Sequence, residues 1–184
     1  MTKAFTLIET LVAITLLMMA IVVPMSMASQ SLTATAYSRD EMVAYHLAEE
    51  AFETIRHQCD HNILHNALLS VGGTPVSLLD GVPVIDGTTL FWVDARNDAM
   101  STVGCTSTTC PPVRTDGVLY GYDAGGGWSD TPFTRTVVAQ YVDTLQNEMK
   151  VTVKVTWQTG SYTQRTFTIS ENLFRWVNDG SAST

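Results

Sequence analysis

Charge is scarce in this chain and missing altogether from one long stretch. Charged residues make up 15% of its 184 residues, below the roughly 25% usual in soluble domains. From Thr10 to Ser38 there is none. No second stretch is comparably apolar, which excludes a multipass membrane protein. Basic residues are few as well, 10 Lys and Arg against 18 Asp and Glu, for a net charge of −8. A basic face for a phosphate backbone is therefore lacking, and nucleic acid is not an expected partner. Glycine is absent before Gly72, and Pro24 is the only proline before Pro75, so little interrupts a helix over the first third of the chain. Three cysteines are too few for a disulfide framework that replaces a core. No GxSxG, HExxH or phosphate-loop motif occurs, so neither an enzyme nor a cofactor is expected.

The apolar run reads LIETLVAITLLMMAIVVPMSMA from Leu7 to Ala28. About 22 helical residues at 1.5 Å each span about 33 Å, close to the ~30 Å hydrocarbon layer of a bilayer. Before it stands Met1-Thr2-Lys3-Ala4, in which Lys3 is the one charge. The positive-inside rule then leaves the N-terminus in the cytoplasm and the rest of the chain outside. Three readings follow. Ser26-Met27-Ala28 resembles a signal-peptide cleavage site, with Ser29 as the new N-terminus. A plain signal anchor is the second. The third turns on Glu9, an acid just inside the apolar run. Such a carboxylate costs about 2.5–3.5 kcal/mol at the middle of a membrane helix and less near its end. A disposable leader has no reason to carry it.

The segment Ala4-Phe5-Thr6-Leu7-Ile8-Glu9-Thr10-Leu11, behind a short basic leader, resembles the N-terminal signature of type IV pilins and type II secretion pseudopilins. The resemblance implies cleavage between Ala4 and Phe5, N-methylation of Phe5, and an assembly role for Glu9, the fifth residue after the cut. Ala4 stands where the family usually has Gly, and Pro24 lies about half a turn from the family's helix-bending proline. Phe5 and Glu9 are four apart and share a helical face, so Glu9 can neutralise its own new amino group or a neighbour's. The implied partners are other pilins in a helical filament, the prepilin peptidase, an assembly ATPase and a platform protein. The membrane is a further partner through the N-terminal helix. The implied location is a single-pass membrane protein with its C-terminal domain outside the cytoplasm, then a pilus or pseudopilus after assembly. LAEEAFETIR and SENLFRWV resemble segments of minor pilins more weakly.

Downstream, Tyr45, Ala48, Phe52, Ile55 and Cys59 recur at spacings of three and four and mark one apolar helical face. A helix is expected from about Phe5 to about Gln58, bent near Pro24. Residues 72–87, rich in Gly and Pro, read as a loop. Expected strands follow at Thr88–Ala95, Val118–Tyr122, Phe133–Asp143, Glu148–Gln158 and Tyr162–Ser170. Asn97–Pro112 and Ala124–Thr131 read as loops. In the fourth of these strands Val151, Val153, Val155 and Trp157 alternate with Thr152, Lys154 and Thr156, the pattern of an antiparallel sheet with one covered face. Turns are expected at Leu145-Gln146-Asn147 and Thr159-Gly160-Ser161, and a last packing contact from Leu173 and Trp176. The expected fold is therefore α+β, a long N-terminal helix packed on a C-terminal antiparallel sheet. Its expected divisions are a leader (1–4), a membrane or filament-core helix (5–28), an amphipathic continuation (29–70) and a β-rich head (71–184).

Other candidate sites are sparse. Cys105 and Cys110 enclose four residues of a loop that faces an oxidising compartment, and a small-loop disulfide between them is the candidate pairing. Cys59 reads as a buried helix residue, with pairing to either loop cysteine left open. His57, His61 and His65 would line one helical face. Asp60, Asn62 and Asn66 are poor helix formers that favour an earlier helix end, so these histidines read as solvated and no metal site is assigned. Asp116, Asp123 and Asp130 flank the Gly-rich turn; without EF-hand spacing they read as solvated loop acids rather than a calcium site. The expected function is a structural filament subunit, a minor pilin or pseudopilin, whose head loops meet an unidentified surface ligand. The alternative is a secreted or signal-anchored binding domain that does not polymerise.

Overall fold

A computed structural model describes residues 6–69, 73–160 and 163–175. The expected cleavage residues Ala4 and Phe5, the turn residue Ser161 and the expected packing residue Trp176 lie outside them. The chain forms two compact units, Met1–Glu41 and Met42–Thr184. Helix α1 runs from Leu7 to Leu68. Seven strands follow: β1 Trp92–Asp94, β2 Ala99–Ser101, β3 Pro112–Thr115, β4 Tyr120–Gly121, β5 Ser129–Tyr141, β6 Glu148–Trp157 and β7 Arg165–Phe174. The fold is α+β, with the helix packed against an antiparallel sheet of five strands ordered β4-β3-β5-β6-β7. β1 and β2 form a separate antiparallel pair.

The first unit contains the apolar half of α1. Each residue from 6 to 32 is exposed, and this helix is long and apolar enough to cross a membrane. Its hydroxyls fold back on the backbone. Thr10 Oγ1 donates to the Leu7 carbonyl, Thr15 Oγ1 to Val12 and Ser26 Oγ to Val23, each at 2.8 Å. That keeps a helix apolar on the outside despite its serine and threonine.

In the second unit the sheet's alternation does the organising. β6 buries Met149, Val151, Val153, Val155 and Trp157 on one face, and its register sets Val153 beside Val137 and Ile169. The opposite face carries Thr152, Lys154 and Thr156. Against the apolar face packs a helix stripe of Ala44, Leu47, Ala48, Ala51, Phe52, Ile55 and Cys59. Each large apolar side chain buried there contributes about 1.5–3 kcal/mol. Tyr45, expected within this stripe, instead lies at its margin, exposed and tilted against the Phe167 ring at 5.7 Å.

Four other expectations are corrected. The helix continues ten residues past Gln58 to Leu68. The poor helix formers Asn62 and Asn66 are buried there and bind the following loop. Asn62 Nδ2 donates to the carbonyls of Leu78 and Asp80 at 3.0 and 2.9 Å. Asn66 Nδ2 donates to the Val76 carbonyl, while its Oδ1 accepts from the Val76 N–H, both at 2.8 Å. Tertiary hydrogen bonds thus outweigh a propensity deficit of a few tenths of a kcal/mol per residue. The expected loop at 97–112 contains β2 and the start of β3, and the turn expected through Thr131 ends where β5 begins at Ser129. At the other end, the last strand continues past the expected end at Ser170 to Phe174, with Leu173 paired to Met149.

Arg135 ties this unit together. It is 1% exposed on the inward phase of β5. Nη1 donates to the Leu47 carbonyl of α1 at 2.8 Å and approaches Glu50 Oε2 at 3.5 Å, and Nη2 donates to the Val93 carbonyl of β1. Its guanidinium carbon lies 5.8 Å from the Tyr122 ring centroid. Arg135→Met keeps most of the packing volume and removes these bonds. Urea unfolding of the purified chain in detergent, followed by tryptophan fluorescence, should show a loss of about 1–3 kcal/mol. An unchanged midpoint would remove Arg135 from this role.

Candidate functional site

Two features lie outside the core: the exposed apolar stretch of α1 with its single acid, and the loop surface of the second unit.

Thr6 precedes the first helical residue, and its carbonyl accepts the N–H groups of Glu9 at 3.0 Å and Thr10 at 3.3 Å. Glu9 lies in the first helical turn, where a negative charge meets the positive end of the helix dipole. Thr6 and Glu9 have the spacing of a capping box. The other polar side chains between Leu7 and Ala28 are Thr10, Thr15 and Ser26, each bonded to its own helix. Glu9 is different, since its side chain bonds to no described residue. The apolar stretch of the helix therefore presents an exposed surface bearing one carboxylate that no described residue pairs.

On the head, Cys105 and Cys110 are joined by a disulfide. Inside its ring the Thr106 N–H donates to the Thr109 carbonyl at 2.7 Å, and Thr106 Oγ1 accepts from the N–H groups of Thr108 and Thr109. Gly104 precedes the bridge at a φ of 79°, and a Cβ there would come within 2.8 Å of the Pro111 ring. The loop is thus held in one shape while its threonines face solvent.

Beside it, Trp92 stacks on Tyr122 with ring centroids 4.6 Å apart, and the Trp92 indole N–H donates to the Val103 carbonyl at 2.9 Å. Trp92, Val103, Pro111, Tyr122, Arg114 and Asp130 line a groove of about 420 Å³. Arg114 braces the Gly-rich turn, donating to Asp130 Oδ1 at 2.8 Å and to the carbonyls of Asp123 and Trp128 at 2.7 and 3.1 Å. The guanidinium of Arg96 lies over Trp128 at 4.3 Å. Gly121 is needed below it, since a Cβ would meet Arg96 Nε at 2.4 Å.

Asp94 is the buried acid of this region. It accepts from the Arg96 side chain at 2.8 and 3.1 Å, from the Arg96 N–H at 3.2 Å and from the Tyr122 N–H at 3.0 Å. Burial pushes its carboxyl upward, but the bonds from Arg96 and Tyr122 together outweigh burial and hold it below its ordinary value. No sequence motif marks Asp94 or Arg96. Arg135 was missed as well, although a charge on the apolar phase of a strand is a signal that could have found it.

The three candidate calcium acids are separately engaged. Asp116 accepts from the N–H groups of Val118 and Leu119, Asp123 from that of Gly125, and Asp130 from Arg114. Among the described residues no group of three or more His, Cys, Asp or Glu side chains is arranged to hold a metal ion. His57, His61 and His65 are all exposed on α1. Cys59 is free and buried, and burial, with the nearby Asp60 charge, pushes its thiol up to about 12.

Two outcomes follow. Asp94's lowered pKa means its contribution to stability is complete above the ordinary value of 3.8 and is lost as pH falls through the lower folded value. Asp94→Asn should cost about 1–3 kcal/mol at pH 7, and the gap from wild type should narrow below pH ~4 in a denaturation series. A gap that stays constant to pH ~2 would contradict this. Thiol titration of the unreduced chain should find no reactive group when native and one Cys59 thiol after denaturation; rapid native labelling would contradict its burial.

No protein-family model matches this chain, and no curated protein or solved structure is significantly similar to it.

Proposed function

We propose that this protein is a structural subunit of a type IV pilus or type II secretion-like filament, a minor pilin or pseudopilin. In this reading the helix holds the subunit in the membrane with the head outside the cytoplasm. A prepilin peptidase cuts between Ala4 and Phe5 and methylates the new amine, and the assembly machinery draws the subunit into a helical filament. The work is mechanical: lipid contacts around the helix are exchanged for contacts with other helices. Exposed apolar surface on this scale needs a lipid or protein cover.

The observation that carries the reading is Glu9. It follows Phe5 by four residues in a segment resembling the pilin signature, and it is the one polar side chain of the apolar run without a partner in its own helix. Taken into a bundle of apolar helices, an unpaired carboxylate is strongly disfavoured. Pairing with the amine of an adjacent Phe5 removes that cost in one axial register only.

Intact mass of the membrane-extracted native protein should give a chain starting at a methylated Phe5. A start at Ser29 would instead mark a secreted domain. Glu9→Val should abolish filament incorporation while leaving the membrane level unchanged. Glu9→Gln retains a helix-capping acceptor and removes the charge, so it should also fail to assemble. Normal assembly of Glu9→Gln would show that Glu9 serves its own helix end and not a neighbour.

A further inference from the structure

The continuation of α1 past Gln58 changes the meaning of three histidines. A helix ending near Gln58 would leave His57 at its end and put His61 and His65 in a loop. In the structure all three lie within α1, which the buried contacts of Asn62 and Asn66 hold in helical form. Residues four apart on a helix are neighbours about 5–6 Å apart at Cβ. His57 with His61, and His61 with His65, are therefore two overlapping chelating pairs.

Their surroundings suit a cation. All three side chains are exposed, and none hydrogen-bonds or pairs with another described residue, so every imidazole is free to rotate and donate a lone pair. Asp60 adds a negative charge on the same turn. Leu64, Leu68 and Leu69 line, with His61 and His65, a groove of about 420 Å³. An apolar wall of this kind restricts water on one side of a bound ion and strengthens its bonds to nitrogen.

We propose that His61, paired with His57 or His65, binds one divalent ion of the class that favours imidazole nitrogen, such as zinc, nickel or copper. Two imidazoles fill two coordination positions and water fills the rest, which makes this a two-donor site distinct from the closed four-ligand structural kind. The site is independent of the filament reading and stands or falls separately.

The shared residue gives the test its shape. The full chain without a purification tag, in detergent, is titrated calorimetrically with nickel(II) and with zinc(II). Wild type should bind one ion per chain. His61→Ala leaves His57 and His65 two turns apart, about 12 Å along the axis, and should weaken binding at least about tenfold because chelation is lost. His57→Ala and His65→Ala each leave one intact pair and should weaken binding only about twofold, the statistical loss of one of two equal arrangements. All three positions are exposed, so the variants should unfold at the wild-type midpoint. A large loss in His61→Ala and in one flanking variant assigns the ion to that pair and supports the proposal. Absence of wild-type binding, or equal affinity in wild type and His61→Ala, overturns it.

Discussion

A guanidinium cannot enter a protein interior unless most of its N–H groups find acceptors there. Arg135 does enter, and the acceptors it finds are main-chain carbonyls from two other elements. Leu47 belongs to α1 and Val93 to β1, while Arg135 itself belongs to β5. A carbonyl has a fixed place and direction, so these bonds set the separation of helix and sheet more strictly than apolar contact does. Apolar side chains tolerate a small slide at little cost; a donor pulled off a buried carbonyl costs about 1–3 kcal/mol. Glu50 balances the charge from the half-exposed margin at 3.5 Å, without itself being taken fully out of water.

The same arrangement orders the groups around it. Tyr122 lies over Arg135 and also stacks on Trp92, so the ring pair is continuous with the core. The Tyr122 N–H is bound by Asp94, which Arg96 neutralises, and Arg96 in turn lies over Trp128. A chain of alternating charge and aromatic surface thus runs from the core to the Gly-rich turn. This is why a turn containing three consecutive glycines, Gly125 to Gly127, can sit beside well-placed side chains: Arg114 and Arg96 hold its ends from outside.

What the sequence made legible depended on how many residues carried each pattern. β6 repeats its alternation over ten residues and stands where the pattern put it, and the turn at Leu145-Gln146-Asn147 does join it to β5. β2 and β3, of three and four residues, are too short to show a period, and Ser, Thr and Pro nearby made them look like loop. The helix end was hidden for another reason. Asn62 and Asn66 are weak helix formers locally, and their partners at Val76, Leu78 and Asp80 lie 10 to 18 residues on. No local rule sees a bond to a loop whose path is not yet known. The buried Asp94 was invisible on the same grounds, since its partner Tyr122 is 28 residues away. The short-range features fared differently: the apolar run, Glu9 within it and the Cys105–Cys110 spacing could all be read directly.

Arg135 and Glu9 pose one problem in two forms. Each is a charge set among apolar groups, and each needs an opposite charge or a set of dipoles. For Arg135 the solution lies inside the head, in carbonyls supplied by the fold. For Glu9 the described helix supplies nothing beyond the dipole at its N-terminus, worth about 0.3–1 kcal/mol near a surface. That is smaller than the roughly 2.5–3.5 kcal/mol attached to an acid deep in a membrane helix. If this helix spans a membrane, its end would lie beside the headgroups, where water reaches the carboxylate and the deficit is reduced. It would return in full if water were replaced by neighbouring helices. On the proposed filament reading, such a chain would be stable in the membrane alone, and within a bundle only where a neighbour brings a positive charge to the level of Glu9. On that reading the apolar surface would supply adhesion in any register, and the single acid would select among registers.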